Sequence, residues 1–497
     1  MNYVSTRNAS TTFESVSSAC AIKRGLSSNG GLFMPSKIPT LKEGEIAKIA
    51  EMTYPERAAY ILKKYLSDYT YEELLEDATA AYSESRFPGG AAPVVKVEDG
   101  IYSLELWHGP TCAFKDMALQ IMPRLLSRAL KKTAEHNTAL ILVATSGDTG
   151  KAALEGYRDV DGIKIIVFYP KNGVSRVQEL QMLTQEGNNV SICPINGNFD
   201  DAQTGVKKMF VDGAFAKEII ANGCILSSAN SINFGRLAPQ IVYYISAYCD
   251  LVNKGEIKIG DEIDICVPTG NFGNILAAYM GKMMGMPFRR FVCASNQNNV
   301  LTDFIRTGTY NKKRDFMLSI SPSMDILISS NLERLLYLVA GDIKTRDWMR
   351  LLRGPEGAYT VDEETLDKIQ KEFSGYFCSE DCTKDTIKSV FENNGYLMDT
   401  HTAVGYNCAK QYLSENTDKR VPMLLASTAS PYKFASDVYA ALKDKKPEDL
   451  DALEMLSAYT NTEIPAPLKA IGERKVRFDG VFAVSEMPDK VREFSKK

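Results

Sequence analysis

One lysine stands directly before a predicted helix, in the segment ELWHGPTCAFKDMAL, where Lys115 lies between Phe114 and Asp116. These neighbours could partly desolvate the amine, and desolvation lowers the pKa of a lysine. An amine of lowered pKa can serve as a Schiff-base nucleophile and as a general base. The alternative is a lysine at a helix start whose amine points at solvent. The local residues leave both possibilities open.

The turn ATSGDTG follows the apolar run LILVAT and precedes a predicted helix. Its candidate ligand-binding residues are Thr145, Ser146, Gly147, Asp148 and Thr149. Their backbone N–H groups and hydroxyls could hold a carboxylate or a phosphate. A nucleotide P-loop is excluded because Thr145 and Ala152 stand where that motif requires Gly and Ser or Thr. The alternative is an ordinary turn with a helix cap.

A second glycine-rich turn, PTGNFGN, also follows a predicted strand and opens an apolar helix. Its candidate residues are Gly270, Asn271, Phe272, Gly273 and Asn274. The glycines permit close backbone approach, and the helix start favours an anion. The spacing G-x-x-G differs from the G-x-G-x-x-G of a dinucleotide site, so a phosphate without a nucleotide is the better interpretation. A plain strand-to-helix turn remains the alternative.

The segment SSANSINFGRLAPQ brings Asn230, Ser231, Asn233 and Arg236 together after an apolar run. The forked guanidinium of Arg236 suits a phosphate. The alternative is an arginine paired with a carboxylate.

Two further groups of polar residues are ambiguous. Ser427 and Thr428 end the strand-like run in LLASTASPYKF, where a hydroxyl could hydrogen-bond a pyridine nitrogen or simply close a strand. Asp399 and His401 in MDTHTAVGY could serve a site. The alternative for that pair is a helix cap and a surface histidine.

The elements that would position these residues follow from the hydrophobic pattern. The runs LILVAT, IKIIVF, VSICPI, IDICVP and RFVCAS alternate with helical segments at residues 117–132, 176–187, 201–217 and 235–248. This alternation predicts an α/β fold with a mainly parallel sheet covered by helices on both faces. Ligands bind such sheets where strand ends meet turns.

The flanking regions differ from this pattern. Residues 50–83 have a helical period, and the cluster FPGGAAP at residues 87–93 is a candidate boundary. Residues 301–400 are again mostly helical and charged, before a strand near residue 425. We therefore predict a helical N-terminal domain over 1–90, a catalytic core over 91–440 made of two α/β subdomains with a helical insertion around 301–400, and a C-terminal segment over 441–497.

Composition limits the possible partners. The 497 residues carry 58 Lys and Arg against 62 Asp and Glu, a net charge of −4, so no basic field attracts nucleic acid or an anionic membrane. No apolar run approaches a membrane span of about 20 residues, and the first residues do not resemble a signal peptide. The ten cysteines are scattered, and Cys378 and Cys382 make poor zinc spacing. We expect a cytoplasmic protein without a metal.

Taken together, HGPTCAFKD, ATSGDTG, SINFGRLAPQ, GNFGN and STASPYKF resemble the threonine synthases in order and spacing. The N-terminal STRN and GLSSNGGLFMPSKIP are similar to that family's first domain, so the resemblance covers residues 3 to about 435. The set favours the longer bacterial and fungal form. The resemblance implies a fold type II enzyme of the tryptophan synthase β-like superfamily, with pyridoxal phosphate as its cofactor.

The resemblance also implies a role for each segment. Lys115 would hold the cofactor covalently, Gly270, Asn271, Phe272, Gly273 and Asn274 would surround its phosphate, and Thr428 would face its pyridine nitrogen. Thr145, Ser146, Gly147, Asp148 and Thr149 would receive the substrate carboxylate. Asn230, Ser231 and Arg236 would hold the substrate phosphate.

The implied reaction converts O-phospho-L-homoserine and water to L-threonine and phosphate, the last step of threonine biosynthesis. A phospho-lyase releasing 2-oxobutyrate and a non-catalytic paralogue are the alternatives. Two departures from related families matter: Asp148 stands where cysteine synthases carry Asn, and Ser430 where many threonine synthases carry His. We expect a monomer or homodimer.

Overall fold

A computed structural model describes residues 1–8, 13–145, 147–417 and 421–496. Its N-terminal elements are β1 (Tyr3–Ser5), β2 (Ser15–Val16), α1 (Ser18–Arg24), β3 (Phe33–Pro35), α2 (Glu45–Ala50), α3 (Tyr54–Tyr65) and α4 (Tyr71–Ala81). The three strands form a small antiparallel sheet in the order β2-β1-β3, which the helical pattern of this region did not indicate. Thr53 and Thr70 begin α3 and α4 as capping boxes with Glu56 and Glu73.

The remaining strands belong mostly to two larger sheets. In chain order they are β4 (Val94–Glu98), β5 (Ile101–Glu105), β6 (Thr138–Ala144), β7 (Ile163–Pro170), β8 (Val190–Asn196), β9 (Cys224–Ser227), β10 (Ile263–Pro268), β11 (Phe288–Ser295), β12 (Thr309–Asn311), β13 (Ala358–Thr360), β14 (Phe373–Phe377), β15 (Met423–Ser427) and β16 (Phe482–Ala483). One sheet has the order β16-β8-β7-β6-β9 and the other β14-β11-β10-β15-β5-β4. Within these two sheets the pairs are parallel except β4 with β5. β12 and β13 pair antiparallel by themselves.

Helices connect these strands. They are α5 (Lys115–Leu119), α6 (Met122–Lys132), α7 (Asp148–Tyr157), α8 (Arg176–Leu183), α9 (Phe199–Val211), α10 (Gly213–Ala221), α11 (Phe234–Asn253), α12 (Gly273–Met283), α13 (Val300–Thr307), α14 (Leu332–Arg353), α15 (Glu363–Glu372), α16 (Glu380–Asn394), α17 (Thr400–Glu415), α18 (Ala435–Lys443), α19 (Asp449–Thr460) and α20 (Met487–Ser495). α11 is buried along almost its whole length and contacts α3, α5 and α12. It therefore joins the N-terminal helices to the elements that carry the candidate site.

The predicted α/β class with parallel sheets and flanking helices is confirmed, and the strands lie where the apolar runs predicted them. These strands are divided between the five-stranded and the six-stranded sheet. The predicted helix over 201–217 is two helices, because Asp212 ends α9 and caps α10 by accepting from Ala214 N at 2.9 Å. The predicted helix over 117–132 is interrupted between α5 and α6.

The carboxyl ends of four parallel strands lead into the candidate segments. β6 precedes the turn that contains Asp148, β9 precedes Asn230, β10 precedes Gly270, and β15 precedes Thr428. Carboxyl ends of parallel strands are the usual ligand-binding edge of an α/β sheet. Within the described residues no helix is long and apolar enough to cross a membrane.

The division into residues 1–90, 91–440 and 441–497 stays a prediction. Two contacts join the N-terminal and C-terminal parts to the predicted core. β16, near the C-terminus, pairs with β8 of the five-stranded sheet, and α1 packs against α6. Both ends of the chain are thus in contact with the core.

Candidate functional site

Lys115 is the first residue of α5 and is held close to the end of β15. The N–H of Phe114 donates to the carbonyl of Thr428 at 2.8 Å, and Ala113 forms a bridge with Ala429. The Lys115 side chain is 11% exposed, so the alternative of an amine pointing at solvent is wrong.

The amine of Lys115 lies beside a carboxylate that also contacts a second lysine. Lys115 Nζ is 3.4 Å from Asp148 Oδ2, and Lys433 Nζ is 3.1 Å from Asp148 Oδ1. The Gln178 amide donates to the same Oδ1 at 2.9 Å. Lys433 is fully buried and also donates to Thr111 O at 2.7 Å. Asp148 is therefore a buried anion placed between two cations.

These charges determine the protonation of the pair. Burial lowers the pKa of Lys115; the Asp148 carboxylate opposes this effect, and the charges of Lys433 and Arg236 add to it. Burial alone would raise the pKa of Asp148, but Lys433, Lys115 and Gln178 outweigh it and hold that pKa well below its ordinary value. Asp148 thus stays ionised, and Lys115 gives up its proton more readily than an exposed lysine.

The turn after β6 is stabilised by hydrogen bonds among its own residues. The Thr145 hydroxyl accepts from Gly147 N at 3.0 Å and from Gly150 N at 2.9 Å. Gly147 has φ 135°, and a Cβ there would meet the Gln178 side chain at 2.6 Å, so both conformation and space require glycine. Thr149 lies in the first turn of α7 and is partly buried. Ser146 lies outside the described residues.

The loop after β10 packs closely against Phe373 and against the main chain of Ser323. Phe272 has φ 62° and precedes α12 as its N-cap, while its ring is buried and packs against Phe373 with centroids 5.6 Å apart. A Cβ on Gly270 would meet Ser323 O at 2.7 Å. The loop therefore offers main-chain N–H groups at a helix start, and the Phe272 side chain belongs to the core.

The three other residues of this loop have distinct surroundings. Asn274 is buried, and its Oδ1 accepts from the hydroxyls of Tyr243 at 2.6 Å and Tyr244 at 2.5 Å. Its Nδ2 has no hydrogen-bond partner among the described residues. Asn271 is exposed, and its carbonyl accepts from Asn331 N at 3.0 Å. Gly273 is the first residue of α12.

Arg236 is a buried cation in the first turn of α11. Its Nη1 donates to Ala229 O at 3.0 Å, and its Nε has no partner among the described residues. No described carboxylate lies within ion-pair distance of it, so the alternative of a paired arginine is not supported there. Burial lowers the pKa of Arg236 to about 10. An unpaired buried guanidinium is costly and is suited to an anionic ligand.

Ser330, which lies just before α14, connects the segment before α11 to the loop after β10. Ser231 Oγ lies 3.4 Å from Ser330 Oγ, and Ser330 Oγ donates to Asn271 Oδ1 at 3.3 Å. Asn230 is exposed, and its carbonyl accepts from Asn233 N at 3.1 Å. The two predicted phosphate-binding segments therefore lie side by side.

The remaining predicted residues lie on the segment after β15, whose main chain is hydrogen-bonded to the segment just before Lys115. Thr428 is buried and reaches Lys115 through the Phe114 hydrogen bond described above. Ser430 is fully buried, and its hydroxyl accepts from Tyr432 N at 3.3 Å, so it closes a short turn.

Sequence reasoning missed Lys433 and Ser323 at the site, and it left the role of His401 open. Lys433 lies in the quoted STASPYKF but gave no separate signal. Ser323, in the helical region that carried no motif, places its Oγ 3.3 Å from Lys115 Nζ. His401 is 2% exposed, so the expectation of a surface histidine is wrong, although Asp399 does cap α17 as expected. Only the fold brings these distant segments to Lys115.

The residues fit pyridoxal phosphate, the cofactor that the resemblance implies. A buried amine of lowered pKa can form a Schiff base. The loop before α12 offers main-chain donors at the start of an 11-residue helix, and the unpartnered Asn274 Nδ2 adds a side-chain donor nearby.

Three family models match the chain. They are described as "Threonine synthase N terminus" over residues 2–82, "Pyridoxal-phosphate dependent enzyme" over residues 89–426, and "Threonine synthase, C-terminal" over residues 402–493. Together they extend over nearly all of the chain.

Individual proteins show the same likeness. The chain is 41% identical over 467 residues to human "Threonine synthase-like 1", covering 91% of this chain but 62% of that longer relative. It is 36% identical over 473 residues to the threonine synthase of Schizosaccharomyces pombe, covering 89% of each. The crystal structure of PLP-bound threonine synthase from Brucella melitensis superposes with a TM-score of 0.88, 34% identity and full coverage of both chains.

Proposed function

Because the chain belongs to the threonine synthase family of pyridoxal-phosphate-dependent enzymes, we propose that it converts O-phospho-L-homoserine and water to L-threonine and phosphate. The observation that carries this proposal is the unpaired, buried guanidinium of Arg236, which is close enough to Lys115 to lower the pKa of its amine. A phosphorylated amino acid satisfies both groups: its amine reacts near Lys115, and its phosphate compensates Arg236.

The cofactor would be held by residues from three segments. Lys115 would bind it covalently, Gly270, Asn271, Phe272, Gly273 and Asn274 would surround its phosphate, and Thr428 would face its ring nitrogen. When bound, pyridoxal phosphate supplies an electron sink for negative charge that develops on the substrate carbons. A hydroxyl such as that of Thr428 can hydrogen-bond the ring nitrogen without the full charge that a carboxylate would favour.

Lys115 would act as the proton carrier of the reaction. Its lowered pKa gives a larger fraction of neutral amine near pH 7, and a neutral amine can take the proton from the substrate Cα. Asp148 and Ser323 contact Lys115 Nζ and so orient it. The same amine can then return a proton before product leaves.

Substrate recognition would come from the two remaining segments. Thr145, Ser146, Gly147, Asp148 and Thr149 would lie around the substrate carboxylate, with main-chain N–H groups near the start of α7 as donors. The negative charge of Asp148 itself faces the two lysines.

Phosphate release would be assisted by Arg236 with Asn230 and Ser231. Charge develops on the leaving oxygen at this step, and preorganised donors in a site of low dielectric stabilise it. Arg236 has its Nε free for this contact. The buried position of Arg236 also strengthens the interaction relative to an exposed arginine.

The decisive experiment incubates purified, cofactor-loaded protein with O-phospho-L-homoserine and measures phosphate, threonine and 2-oxobutyrate in one sample. Equal amounts of phosphate and threonine support the synthase. Phosphate with 2-oxobutyrate and ammonia would make the protein a phospho-lyase. Absence of phosphate release from cofactor-loaded protein would refute the substrate assignment. This result is expected if the protein is a non-catalytic paralogue, an alternative raised by its likeness to human "Threonine synthase-like 1".

We further propose a cytoplasmic monomer or homodimer with this small molecule as its partner. The even charge balance supports the absence of a nucleic-acid partner. Size-exclusion chromatography with light scattering tests the oligomeric state.

A further inference from the structure

Ser323 links Lys115 to a buried pair of residues on α17. The Ser323 hydroxyl lies 3.3 Å from Lys115 Nζ and 3.4 Å from Asp148 Oδ2. The main-chain N–H of the same serine donates to His401 Nε2 at 3.1 Å. One residue therefore contacts the reactive amine through its side chain and the histidine through its backbone.

The hydrogen bonds assign the tautomer of His401. Because the Ser323 N–H is a donor, Nε2 must accept, and the ring proton lies on Nδ1. Nδ1 is 2.7 Å from Asp399 Oδ2, which accepts that proton. The imidazole is thereby held in one orientation with its acceptor directed at Ser323.

Both carboxylate oxygens of Asp399 accept hydrogen bonds. It is 0% exposed; its Oδ2 also accepts from His401 N at 2.9 Å, and its Oδ1 accepts from Thr402 N at 3.0 Å and from the Thr402 hydroxyl. The carboxylate thus caps α17 and fixes the imidazole at the same time. Buried polar groups with every partner satisfied hold a single geometry.

The turn that carries Ser323 also contacts the cofactor loop. The turn Pro322–Met324 is a single 3-10 turn, and Ser323 O lies where it leaves no room for a Cβ on Gly270. Ser321, next to it, is anchored by Asn296, whose Nδ2 donates to Ser321 Oγ at 3.0 Å. A displacement of this turn would therefore reach both Lys115 and the loop before α12.

We propose that Asp399 and His401 are positioning residues that hold the Ser323 hydroxyl against Lys115 and so keep the amine oriented for proton transfer and for covalent capture of the cofactor. The proposal rests on the proposed function for its kinetic consequence. Its structural consequence, the orientation of Lys115, is independent of which substrate is converted.

The variants distinguish the hydrogen-bond acceptor of the His401 side chain from the volume that this side chain fills. In His401→Gln the amide oxygen can occupy the place of Nε2 and accept from Ser323 N–H, whereas His401→Leu fills similar space without an acceptor. Ser323→Ala removes the hydroxyl and keeps the N–H. Asp399→Ser removes the carboxylate that accepts from His401 Nδ1 while a hydroxyl can still cap α17. Asp362→Ser is its matched control, because Asp362 caps α15 by accepting from Thr365 N at 3.1 Å and has no contact with Ser323 or His401.

Three measurements are made on each protein: kcat and KM with O-phospho-L-homoserine, the affinity of the apo-protein for pyridoxal phosphate, and the rate of cofactor capture on Lys115, trapped by borohydride and quantified by mass spectrometry. We expect His401→Leu to lower kcat and the capture rate by about 10- to 100-fold, the range for a misplaced catalytic group, with KM little changed. His401→Gln should recover most of this loss, and Asp362→Ser should match the wild type in every measurement.

The double variant tests whether His401 acts through Ser323. If it does, His401→Leu adds little to the loss already caused by Ser323→Ala, because the hydroxyl that it positions is gone. Independent, multiplying losses would overturn the proposal, as would a wild-type capture rate in His401→Leu. If the wild type releases no phosphate from O-phospho-L-homoserine, the proposed function fails, and the capture rates alone still support or refute the positioning role.

Discussion

Replacing Arg236 by Met should stabilise the protein and weaken its binding of phosphate at the same time. The pKa of Arg236 falls from its ordinary 12.5 to about 10 through burial. At 1.36 kcal/mol per pKa unit, the ionised side chain is disfavoured by about 3 kcal/mol. The penalty applies in full below the lowered pKa and disappears only as pH rises above it, so it is present at pH 8.

The expected gain is smaller than this penalty because the hydrogen bond to Ala229 O is lost. A neutral hydrogen bond contributes about 1 kcal/mol, which leaves a predicted rise of about 2 kcal/mol in the free energy of unfolding. A charge-assisted hydrogen bond to phosphate contributes about 1.5–3 kcal/mol, so inorganic phosphate should bind about 10- to 100-fold more weakly to the variant.

The assay uses cofactor-loaded protein, urea unfolding for stability and calorimetry for phosphate. Arg57→Met is the matched control, because Arg57 is equally buried but forms an ion pair with Asp250 at 2.6 Å. Removing Arg57 should lower the free energy of unfolding, because Asp250 loses its ion-pair partner and Ile49 O loses its hydrogen bond from Arg57 Nε. A loss of stability in Arg236→Met together with unchanged phosphate affinity would show that Arg236 is satisfied within the protein, and would refute the reasoning.

Three further substitutions test the site. Lys115→Ala should abolish covalent cofactor capture and lower turnover by about 1,000-fold or more, as followed by mass spectrometry and phosphate release; normal turnover in a folded variant would end the assignment. Asp148→Asn removes the charge that raises the pKa of Lys115, so the pH midpoint of cofactor capture by apo-protein should shift downward; an upward shift would contradict the electrostatics given above. Burial raises the pKa of Asp116 to about 6 from an ordinary 3.8, so the contribution of Asp116 to stability should fall as pH rises through about 4 to 6. In Asp116→Asn the amide oxygen can accept from Thr111 N and the amide N–H can donate to the Thr111 hydroxyl, so the variant should gain about 3 kcal/mol relative to wild type across that window in urea unfolding. A pH-independent difference would show that Asp116 titrates normally.

Much of the site follows from local sequence because its parts are turns at strand ends. The alternation of apolar runs with helical segments predicted the α/β class, and glycines after β6 and β10 marked the turns where main-chain donors would be free. Gly147 illustrates why this works: its φ of 135° and its contact with Gln178 are requirements that only glycine meets. The motif order then indicated the family and its cofactor.

The division of the strands between two sheets was decided by tertiary pairing. β5, β10 and β15 are far apart along the chain, yet β15 pairs with both β5 and β10. The hydrophobic pattern of a segment indicates that it is a buried strand, but it does not specify which other strand pairs with it.

Partners at the site were likewise decided by the fold. Whether Arg236 had a carboxylate partner, and whether Lys115 faced solvent, depended on residues far away in the chain. Lys433, Ser323 and His401 reach Lys115 or its contacts only after β15, α17 and the turn before α14 have packed. Sequence by itself determined which local backbone shapes and side-chain chemistries are available, because these depend on neighbours along the chain. Burial and the pairing of charges depend on neighbours in space, so only the tertiary structure could decide them.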